Sequence, residues 1–420
     1  MWDLLQKASS ARFSHWWAVT AWLCDMILTL LIIRRVPFTN IDWEAYMMEV
    51  DCVLRGEFDY SKISGPTGPI AYPAGFCWFY GALRWLELPV PSTQLLFGAL
   101  YLAMLAVVFA VYRAAEAPGW LLMLCVLSKR VHSIFCLRLF NDGVSQLFLY
   151  LSLLFLLRQR HLSSALTFSL AISIKMQPLL YCPAIGLCFV LAGGWSHALQ
   201  MIVAIAAVQL AVALPFLWTN PMAYLGRAFG GPGDLQHVWS VNWRMIPEAI
   251  FADQVFAIGL HLSHVVLLVW FAHHRWIPGG WLSQSLRHWT TQKHLDAKTT
   301  ICVWFACNFV GVACLRTMHF QFLVWYFHSV PFLAWFALKP DEYRGLSWAC
   351  RCVAIVILTL AIEVPFLLTT NGTVRGPDGR SWETAGVPTS NGSVLLQGTH
   401  AVLLVALAMQ RVHTRPQKEE

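Results

Sequence analysis

The stretch ALQMIVAIAAVQLAVALPFL, residues 198–217, contains no charged side chain in 20 consecutive positions. About 20 apolar residues in an α-helix are needed to cross the hydrocarbon core of a bilayer. The stretch therefore predicts a transmembrane helix, and other parts of the chain repeat the pattern. We expect further spans at 16–36, 72–90, 94–113, 253–272, 299–315, 320–338, 348–368 and 396–410.

The composition excludes a soluble enzyme. Of 420 residues, 58% are apolar and only 12% are charged, whereas soluble domains carry about 25% charged residues. The net charge of +7 comes from basic residues between apolar segments, which indicates orientation in a bilayer and no nucleic-acid binding. The twelve cysteines show neither a disulfide framework nor zinc-type pairs. We expect an all-α polytopic membrane protein.

Segment 118–192 is also apolar, but charged residues interrupt it. We expect short or broken helices there. Broken helices at membrane depth are tolerated only where protein or a water-filled cavity covers them, so the segment indicates a site. Spans and broken helices together are expected to number 12–14, with both termini cytosolic.

Four polar stretches connect the apolar segments, and none exceeds 35 residues. A separate soluble domain does not fit, so residues 1–420 are expected to form one membrane-embedded domain. Basic residues place the loop near 273–298 in the cytosol. Acidic residues and two glycosylation sequons, at Asn371 and Asn391, place the other loops on the lumenal side, near 37–71, 218–252 and 369–395.

The first lumenal loop contains NIDWEAY, residues 40–46. A carboxylate just beyond the membrane and shielded by Trp43 can act as a general base, which makes Asp42 the catalytic candidate. The alternative is that Asp42 caps the helix that follows, and the two roles are compatible. Helical spacing puts Tyr46 and Glu49 near the face of Asp42, and Glu44 on another face.

Two motifs place cations near broken helix ends, Arg138 in RLFND (138–142) and Lys175 in SIK (173–175). Arg and Lys beside a membrane-embedded site suit a phosphate. The alternative is a buried ion pair of either cation with Asp142. Tyr72 lies in the Gly- and Pro-rich stretch 65–73, which we otherwise interpret as a shaped linker, and it is the residue there that we expect to contact a ligand.

The second lumenal loop contains HVWSVNWR, residues 237–244. Tryptophans alternating with hydrogen-bonding side chains suit a sugar, whereas tryptophans alone also suit an interfacial belt. In HFQFLVWYFH, residues 319–328, helical spacing puts His319 and Tyr326 on one face and Gln321, Trp325 and His328 on another. The histidine spacing matches no zinc motif, so no metal site is expected.

The motifs together resemble one family, the dolichyl-phosphate-mannose-dependent α-1,3-mannosyltransferases of asparagine-linked glycosylation, which have the GT-C glycosyltransferase fold. The matching segments appear in family order. They are 41–47, 68–75, 132–135, 137–142, 173–176, 227–229, 241–244, 247–248, 319–322 and 324–328. Gly143 and the pair Gln177-Pro178 depart from the pattern, and neither removes a charged group.

The resemblance implies the reaction. Mannose passes from dolichyl-phosphate-mannose to the lipid-linked Man5GlcNAc2-PP-dolichol on the lumenal face of the endoplasmic reticulum, giving the six-mannose product through an α-1,3 linkage. The β-linked donor and α-linked product require one inversion, with a base on the acceptor hydroxyl and stabilisation of the leaving phosphate.

Asp42 matches the family position of the catalytic acid in the first lumenal loop. Glu49 and Asp51 form a weaker candidate. We expect the donor phosphate to meet Arg138, Lys175, Arg244 and His319. We expect sugar or acceptor contacts from Glu44, Tyr72, Asn141, Asp142, His237, Asn242, Gln321, Tyr326 and His328.

The expected partners are the lipid-linked donor, the lipid-linked acceptor and membrane lipid, and the protein is expected to act as a monomer without a cofactor. Two other classes stay open: a transporter of polyisoprenoid lipids or solutes, and a membrane scaffold. A related GT-C mannosyltransferase acting on glycolipid-anchor precursors is a closer alternative.

Overall fold

The computed structural model describes residues 14–230, 236–277, 295–338, 347–375 and 381–410. Most of the loop expected in the cytosol near 273–298 lies outside the described residues, as do both chain termini. The described elements are helices with two small hairpins, which confirms the all-α polytopic fold class. The residues divide into two compact units, and the expectation of one domain over 1–420 stays a prediction.

The first unit comprises Met1–Cys182, Ala198–Leu235 and Gln321–Trp325. Its helices before residue 175 are α1 (Ser14–Arg35), α2 (Trp43–Leu54), α3 (Ala74–Trp85), α4 (Val90–Ala114), α5 (Leu121–Cys125), α6 (Lys129–His132), α7 (Asn141–Leu157) and α8 (His161–Ile174). A small hairpin, β1 (Ser64–Gly65) and β2 (Gly68–Pro69), lies between α2 and α3. A π-helix (Ser133–Leu137) follows α6, and a 3-10 helix (Gln177–Tyr181) follows α8. Within this unit α7 packs against α4 and α8, and α2 packs against α3.

Helix α9 (Cys182–Thr219) contains the charge-free stretch and is bent at Gly193 and Gly194. Gly194 has φ +76°, a conformation that glycine adopts without a steric penalty. After the bend, Leu199, Val203 and Leu210 are each exposed by about 60%, as expected of side chains that face lipid. Helix α10 (Pro221–Phe229) follows, capped by the Asn220 side chain.

The second unit comprises Pro183–His197, Gln236–Phe320 and Tyr326–Glu420. Its helices after residue 236 are α11 (Glu248–Ala252), α12 (Gln254–Phe271), α13 (Ala297–Ala313), α14 (Val330–Ala337), α15 (Trp348–Glu363) and α16 (Ser390–Met409). Short helical turns lie at His237–Trp239, Ala272–Trp276, Phe327–Ser329 and Val364–Phe366. An antiparallel hairpin, β3 (Thr369–Arg375) and β4 (Ser381–Pro388), precedes α16. Helix α15 packs against α14 and α16.

Six helices in the described residues are long and apolar enough to cross a membrane, or seven if one bent pair is a single span. They match the predictions at 16–36, 94–113, 198–217, 253–272, 348–368 and 396–410. The expected total of 12–14 also included short and broken helices, which are not among these six, so that total stays a prediction. Helices α8 and α13 are apolar but shorter than 18 residues.

The predictions of continuous spanning helices at 72–90 and 320–338 are wrong. Helix α3 has only 12 residues and ends before Leu86, which is too short for a bilayer core. The second region has a 3-10 helix at Phe320–Trp325 and another at Phe327–Ser329 before α14. Tyr326 separates them with φ −145°, so the α-helical faces expected for 319–328 do not exist.

The prediction of broken helices in 118–192 is confirmed. The segments Lys129–Leu137 and Asn141–Leu157 meet at 110°, and Leu139 between them has φ +54°. A left-handed conformation costs a residue with a Cβ about 1–2 kcal/mol. Three donors from earlier segments satisfy the carbonyls of the break: Gln94 Nε2 to Cys136 at 2.7 Å, Thr39 N to Leu137 at 2.9 Å and Tyr80 Oη to Leu139 at 2.6 Å.

One buried polar pair joins α1 to the start of this broken region. Asp25 Oδ1 lies 2.7 Å from His132 Nε2, and both side chains are almost completely buried. Ionisable groups inside a membrane span are expensive unless they meet a partner. Asp25 therefore has a structural partner, and it stands apart from the predicted site residues.

Candidate active site

Asp42 occupies the N-cap position of α2, but its side chain makes no capping hydrogen bond. Its backbone, at φ −110° and ψ −2°, lies outside the extended conformation typical of a capping residue. The capping alternative is therefore wrong for the carboxylate, which is half-buried. Burial raises the pKa of Asp42 above its ordinary value, while the positive charge of Lys175 lowers it and the negative charge of Asp142 raises it.

Aromatic rings line the face of α2 next to Asp42. Tyr46 lies one turn after Asp42. Its ring centroid is 5.4 Å from that of Tyr72 and 4.9 Å from those of Phe76 and Tyr80. Tyr46 Oη donates to Tyr72 Oη over 3.4 Å. Burial raises the pKa of both Tyr46 and Tyr72, with the negative charge of Asp42 as a further cause. Both phenols therefore remain protonated donors at neutral pH.

Asp142 is held by two donors and is 1% exposed. Trp325 Nε1 donates to Oδ1 over 2.5 Å, and Lys175 Nζ donates to Oδ2 over 3.2 Å. Asn141 Oδ1 accepts a second hydrogen bond from Lys175 Nζ at 3.2 Å. The structure thus contains the Lys175–Asp142 ion pair that sequence reasoning left open against a phosphate contact.

Lys175 connects this pair to the first loop. Its ammonium group lies 4.9 Å from the centroid of the Tyr72 ring, a cation–π distance. Two of its three N–H donors point to Asn141 and Asp142. We name Asp42, Tyr46, Tyr72, Asn141, Asp142, Lys175 and Trp325 the first-loop cluster.

A close approach of two helices fixes this cluster. A Cβ atom added at Gly75 on α3 would lie 2.3 Å from Ser173 Oγ and 2.7 Å from the Ser173 carbonyl oxygen. Ser173 is near the end of α8, two residues before Lys175, and Gly75 is three residues after Tyr72. Glycine at this position therefore sets the distance between the segments that carry Tyr72 and Lys175.

The other acidic residues of α2 have different surroundings. Glu44 is exposed. Glu49 is 3% exposed, its Oε2 has no hydrogen-bond partner among the described residues, and burial raises its pKa to about 8. Asp51 receives two hydrogen bonds from Arg84, at 2.8 and 3.1 Å, which tie α2 to α3. Asp42 is thus the acid of this segment whose electrostatic neighbours include Lys175.

Two more predicted residues lie in the first unit. Arg138 is half-buried at the helix break, and its Nη1 donates to Ser133 Oγ over 3.0 Å. Gln321 is half-buried in the 3-10 helix that also carries Trp325. Their roles stay predictions.

The second loop forms a hydrogen-bonded group within the second unit. His237 Nε2 donates to the Trp243 carbonyl at 3.0 Å, and Arg244 Nη1 donates to His237 Nδ1 at 3.2 Å. These partners select the tautomer with the proton on Nε2, because a carbonyl only accepts and a guanidinium only donates. Asn242 is completely buried, donates to the Leu315 carbonyl at 2.7 Å and accepts from Ser240 Oγ at 2.9 Å.

We name this group, His237, Ser240, Asn242, Trp243, Arg244 and Ser393, the second-loop cluster. Ser393 belongs to it because its Oγ accepts from Arg244 N at 2.9 Å. The cluster uses its polar atoms to hold the loop together. The predicted sugar and phosphate contacts of its members stay predictions.

The remaining predicted residues also lie in the second unit. Tyr326 is buried and its Oη lies 3.2 Å from His400 Nε2. His328 is buried, and His319 is half-buried. Among the described residues no group of three or more His, Cys, Asp or Glu side chains is arranged to hold a metal ion.

Three side chains around Asp42 and Asp142 were not among the predicted site residues: Tyr46, Tyr80 and Trp325. Helical spacing was the available signal for Tyr46. No local pattern joins Trp325 to Asp142, because 183 residues separate them.

Comparison with known proteins shows the family of the chain. The model of the ALG3 protein family matches residues 19–367. A relative from Arabidopsis thaliana is 40% identical over 341 residues, which are 77% of this chain and 78% of the relative. A relative from Homo sapiens is 36% identical over 401 residues, 93% of this chain and 86% of the relative. One from Neurospora crassa is 37% identical over 347 residues, 78% of each. Each is named Dol-P-Man:Man(5)GlcNAc(2)-PP-Dol alpha-1,3-mannosyltransferase.

The fold and the first-loop cluster define a polytopic helical membrane protein with acidic, basic and aromatic side chains gathered at a loop and a helix break. The family match covers most of the chain, including every residue of that cluster. The chain belongs to the ALG3 protein family.

Proposed function

We propose that this chain transfers mannose from dolichyl-phosphate-mannose to Man5GlcNAc2-PP-dolichol, forming an α-1,3 linkage. The similarity to relatives with that activity in their names carries the proposal, since it extends over 93% of the chain. The six described helices of spanning length and apolarity suit lipid-linked substrates. We further propose that the reaction takes place on the lumenal side of the endoplasmic reticulum membrane.

Asp42 is the proposed base. The acceptor hydroxyl oxygen attacks C1 of the donor mannose, and the hydroxyl proton goes to the Asp42 carboxylate. The bond from C1 to the phosphate oxygen breaks on the opposite face, and dolichyl phosphate leaves with the bonding electrons. The support for Asp42 is that its carboxylate is not used as a helix cap and interacts electrostatically with Lys175.

Lys175 is the proposed cation for the leaving phosphate. Its ammonium group is anchored by Asn141 and Asp142, and one N–H donor is not used by either. A preorganised cation stabilises charge that develops on a leaving oxygen without reorganising during the reaction. Because a lipid monophosphate carries less negative charge than a nucleotide diphosphate and needs less help from a metal ion as it leaves, we propose that transfer needs no metal ion.

The test is a transfer assay with purified protein, dolichyl-phosphate-mannose and a synthetic five-mannose lipid acceptor. We expect the parent to form the six-mannose product, with and without a chelator. Asp42→Asn should lower the rate by about 10²–10⁴, the range for loss of a general base. Glu87→Gln is the control, because Glu87 is an exposed acid that belongs to neither the predicted site nor the first-loop cluster, and it should keep most of the rate.

The pH profile adds a second readout. A base must be ionised to act, and the pKa of Asp42 is raised, so the rate should begin to fall at a higher pH than for an ordinary aspartate. Full transfer by folded Asp42→Asn would overturn the base assignment, and loss of transfer in the chelator would overturn metal independence. Failure of the parent to transfer, while monodisperse, would contradict the proposed reaction.

A further inference from the structure

Two sequons for asparagine-linked glycosylation lie close together in the chain, Asn371-Gly372-Thr373 and Asn391-Gly392-Ser393. The sequence motif alone does not distinguish them. A sequon is used when the asparagine amide and the hydroxyl two residues later are presented together. The secondary structure of the two sequons differs in just this respect.

The first sequon lies in strand β3. Asn371 and Thr373 are both exposed, whereas Val374 is buried. The pairing of β3 with β4 shifts register between Thr370 and Gly372, so Asn371 is left outside the regular ladder. Neither side chain makes a hydrogen bond to another described residue. The amide and the hydroxyl are thus presented together.

The second sequon lies in the first turn of α16. Residues two apart on an α-helix are rotated by about 200°, onto opposite faces, and Asn391 is exposed while Ser393 is completely buried. Ser393 Oγ donates to the Val241 carbonyl at 2.7 Å and accepts from Arg244 N at 2.9 Å. Gly392 N donates to the capping Thr389 Oγ1 at 3.1 Å. The hydroxyl of this sequon is therefore already used inside the protein.

The position of α16 adds a second restriction. The helix Ser390–Met409 is long and apolar enough to cross a membrane. Asn391 is the second residue of this helix and lies in its first turn. When α16 inserts into the membrane, the chain that follows Asn391 is helical, so no extended chain lies on its carboxyl side. Asn371 is separated from α16 by the rest of the β3–β4 hairpin.

We propose that Asn371 is the glycosylated residue of this protein and that Asn391 is not glycosylated. In the reaction a bond forms between Asn371 Nδ2 and C1 of the first sugar of an oligosaccharide carried on a lipid diphosphate. The bond between C1 and the phosphate oxygen breaks, the lipid diphosphate leaves, and the amide loses one proton. A separate oligosaccharide-transferring enzyme supplies the catalysis. The proposal rests on the proposed function, which assigns the reaction to the lumenal side, and on the expected lumenal placement of the loop near 369–395.

The experiment expresses the full chain, tagged, in eukaryotic cells and measures gel mobility before and after treatment with a peptide N-glycosidase. The variants are Asn371→Gln, Asn391→Gln, Thr373→Ala and Thr373→Ser. We expect the parent, Asn391→Gln and Thr373→Ser to shift by one glycan. Asn371→Gln and Thr373→Ala should show no shift, and Thr373→Ala removes the sequon while keeping the asparagine.

Loss of the shift in Asn391→Gln, a shift of two glycans in the parent, or no shift in the parent would each overturn the proposal. Mannose transfer is measured on the same preparations. A parent that transfers mannose but carries no glycan contradicts the glycan assignment alone, whereas a glycosylated parent without transfer contradicts the proposed reaction alone.

Discussion

The first-loop cluster and the second-loop cluster are both built from polar side chains on loops and helix ends, but they use those side chains differently. In the second-loop cluster, Asn242 and His237 each bond to one backbone carbonyl and one side chain of their own unit. In the first-loop cluster, each carboxylate oxygen of Asp142 accepts a hydrogen bond, whereas the Asp42 carboxylate makes no capping bond. A site for chemistry needs some fixed groups and at least one group that is left for the substrate. The first-loop cluster meets that requirement through two aspartates with opposite surroundings.

Removal of the positive charge of Lys175, in the first-loop cluster, should give the largest loss of stability. Lys175→Met leaves the buried Asp142 carboxylate with Trp325 as its donor, and loss of one partner of a buried pair costs several kcal/mol. Because Lys175 is 13% exposed, we expect a loss of about 2–4 kcal/mol. The control is Lys62→Met, whose ion pairs at 3.7 and 3.9 Å involve a largely exposed lysine and are worth at most about 1 kcal/mol.

A double variant separates the stability effect from the catalytic one. Lys175→Met with Asp142→Asn removes both charges, so the melting temperature should recover toward that of the parent while mannose transfer stays low. Transfer that recovers along with stability would show that Lys175 only balances Asp142.

The raised pKa of the buried Glu49 predicts an unusual dependence of stability on pH. In the folded protein its pKa is about 8, against an ordinary value of 4.5. The folded state therefore binds one more proton than the unfolded state between these values, and stability falls as the pH rises through this range. Glu49→Gln should remove that loss, which at pH 7 is about 3 kcal/mol, because one pKa unit corresponds to about 1.4 kcal/mol.

Melting temperatures between pH 5 and 8 check this prediction. The curve for Glu49→Gln should be flatter than that of the parent, and the curve for the exposed Glu44→Gln should follow the parent. Parallel curves for the parent and Glu49→Gln would mean that Glu49 is ionised in the folded protein.

The close approach of Gly75 on α3 to Ser173 on α8 gives the next largest expected loss of stability. Gly75→Ala places a methyl group against the Ser173 carbonyl oxygen at 2.7 Å, and overpacking of this kind costs about 1–3 kcal/mol. Gly81→Ala on the same helix is the control, since its nearest neighbour would be Leu54 Cδ2 at 4.0 Å. We expect a lower melting temperature and slower transfer for the first variant alone. Equal behaviour of the two would contradict the role of Gly75 in positioning Tyr72 and Lys175.

The smallest effect is expected in the second-loop cluster. Asn242→Ala removes the donor to the Leu315 carbonyl and should cost about 1–2 kcal/mol, with the exposed Gln236→Ala as control. Transfer is then measured below the melting temperature of both variants, as a function of acceptor concentration. A raised KM in Asn242→Ala would support the predicted sugar contact, and an unchanged KM would limit Asn242 to holding the loop.

Sequence patterns predicted the fold where the determinant is local. Long apolar runs located α1, α4, α12 and α16, since the bilayer requires that pattern of each span separately. Charges inside an apolar segment located the break at 138–142. The same reasoning failed at 320–338, where apolar composition suggested a span but the backbone forms 3-10 turns around Tyr326. The loop 369–395 contains a hairpin that composition did not indicate.

The candidate site residues also divide into those with a local sequence signal and those without one. The polar residues of the first loop and the break were found from their cost at membrane depth. The hydrogen-bonding partners of these residues were not found, because they come from segments that are distant in the sequence. Tyr80 donates to the carbonyl of the left-handed Leu139, and Trp325 donates to the Asp142 carboxylate. Sequence spacing carries no information about either pair.

The bond between Trp325 and Asp142 also has a consequence for biosynthesis. The donors that close the helix break, Thr39, Tyr80 and Gln94, all precede it in the chain, so the ribosome has already made them when the break emerges. Trp325 is made 183 residues after Asp142, which at 5–20 residues per second is roughly 10–40 s later. During that interval the Asp142 carboxylate lacks one of the donors that it has in the complete fold, and a chain that stops before residue 325 never supplies it.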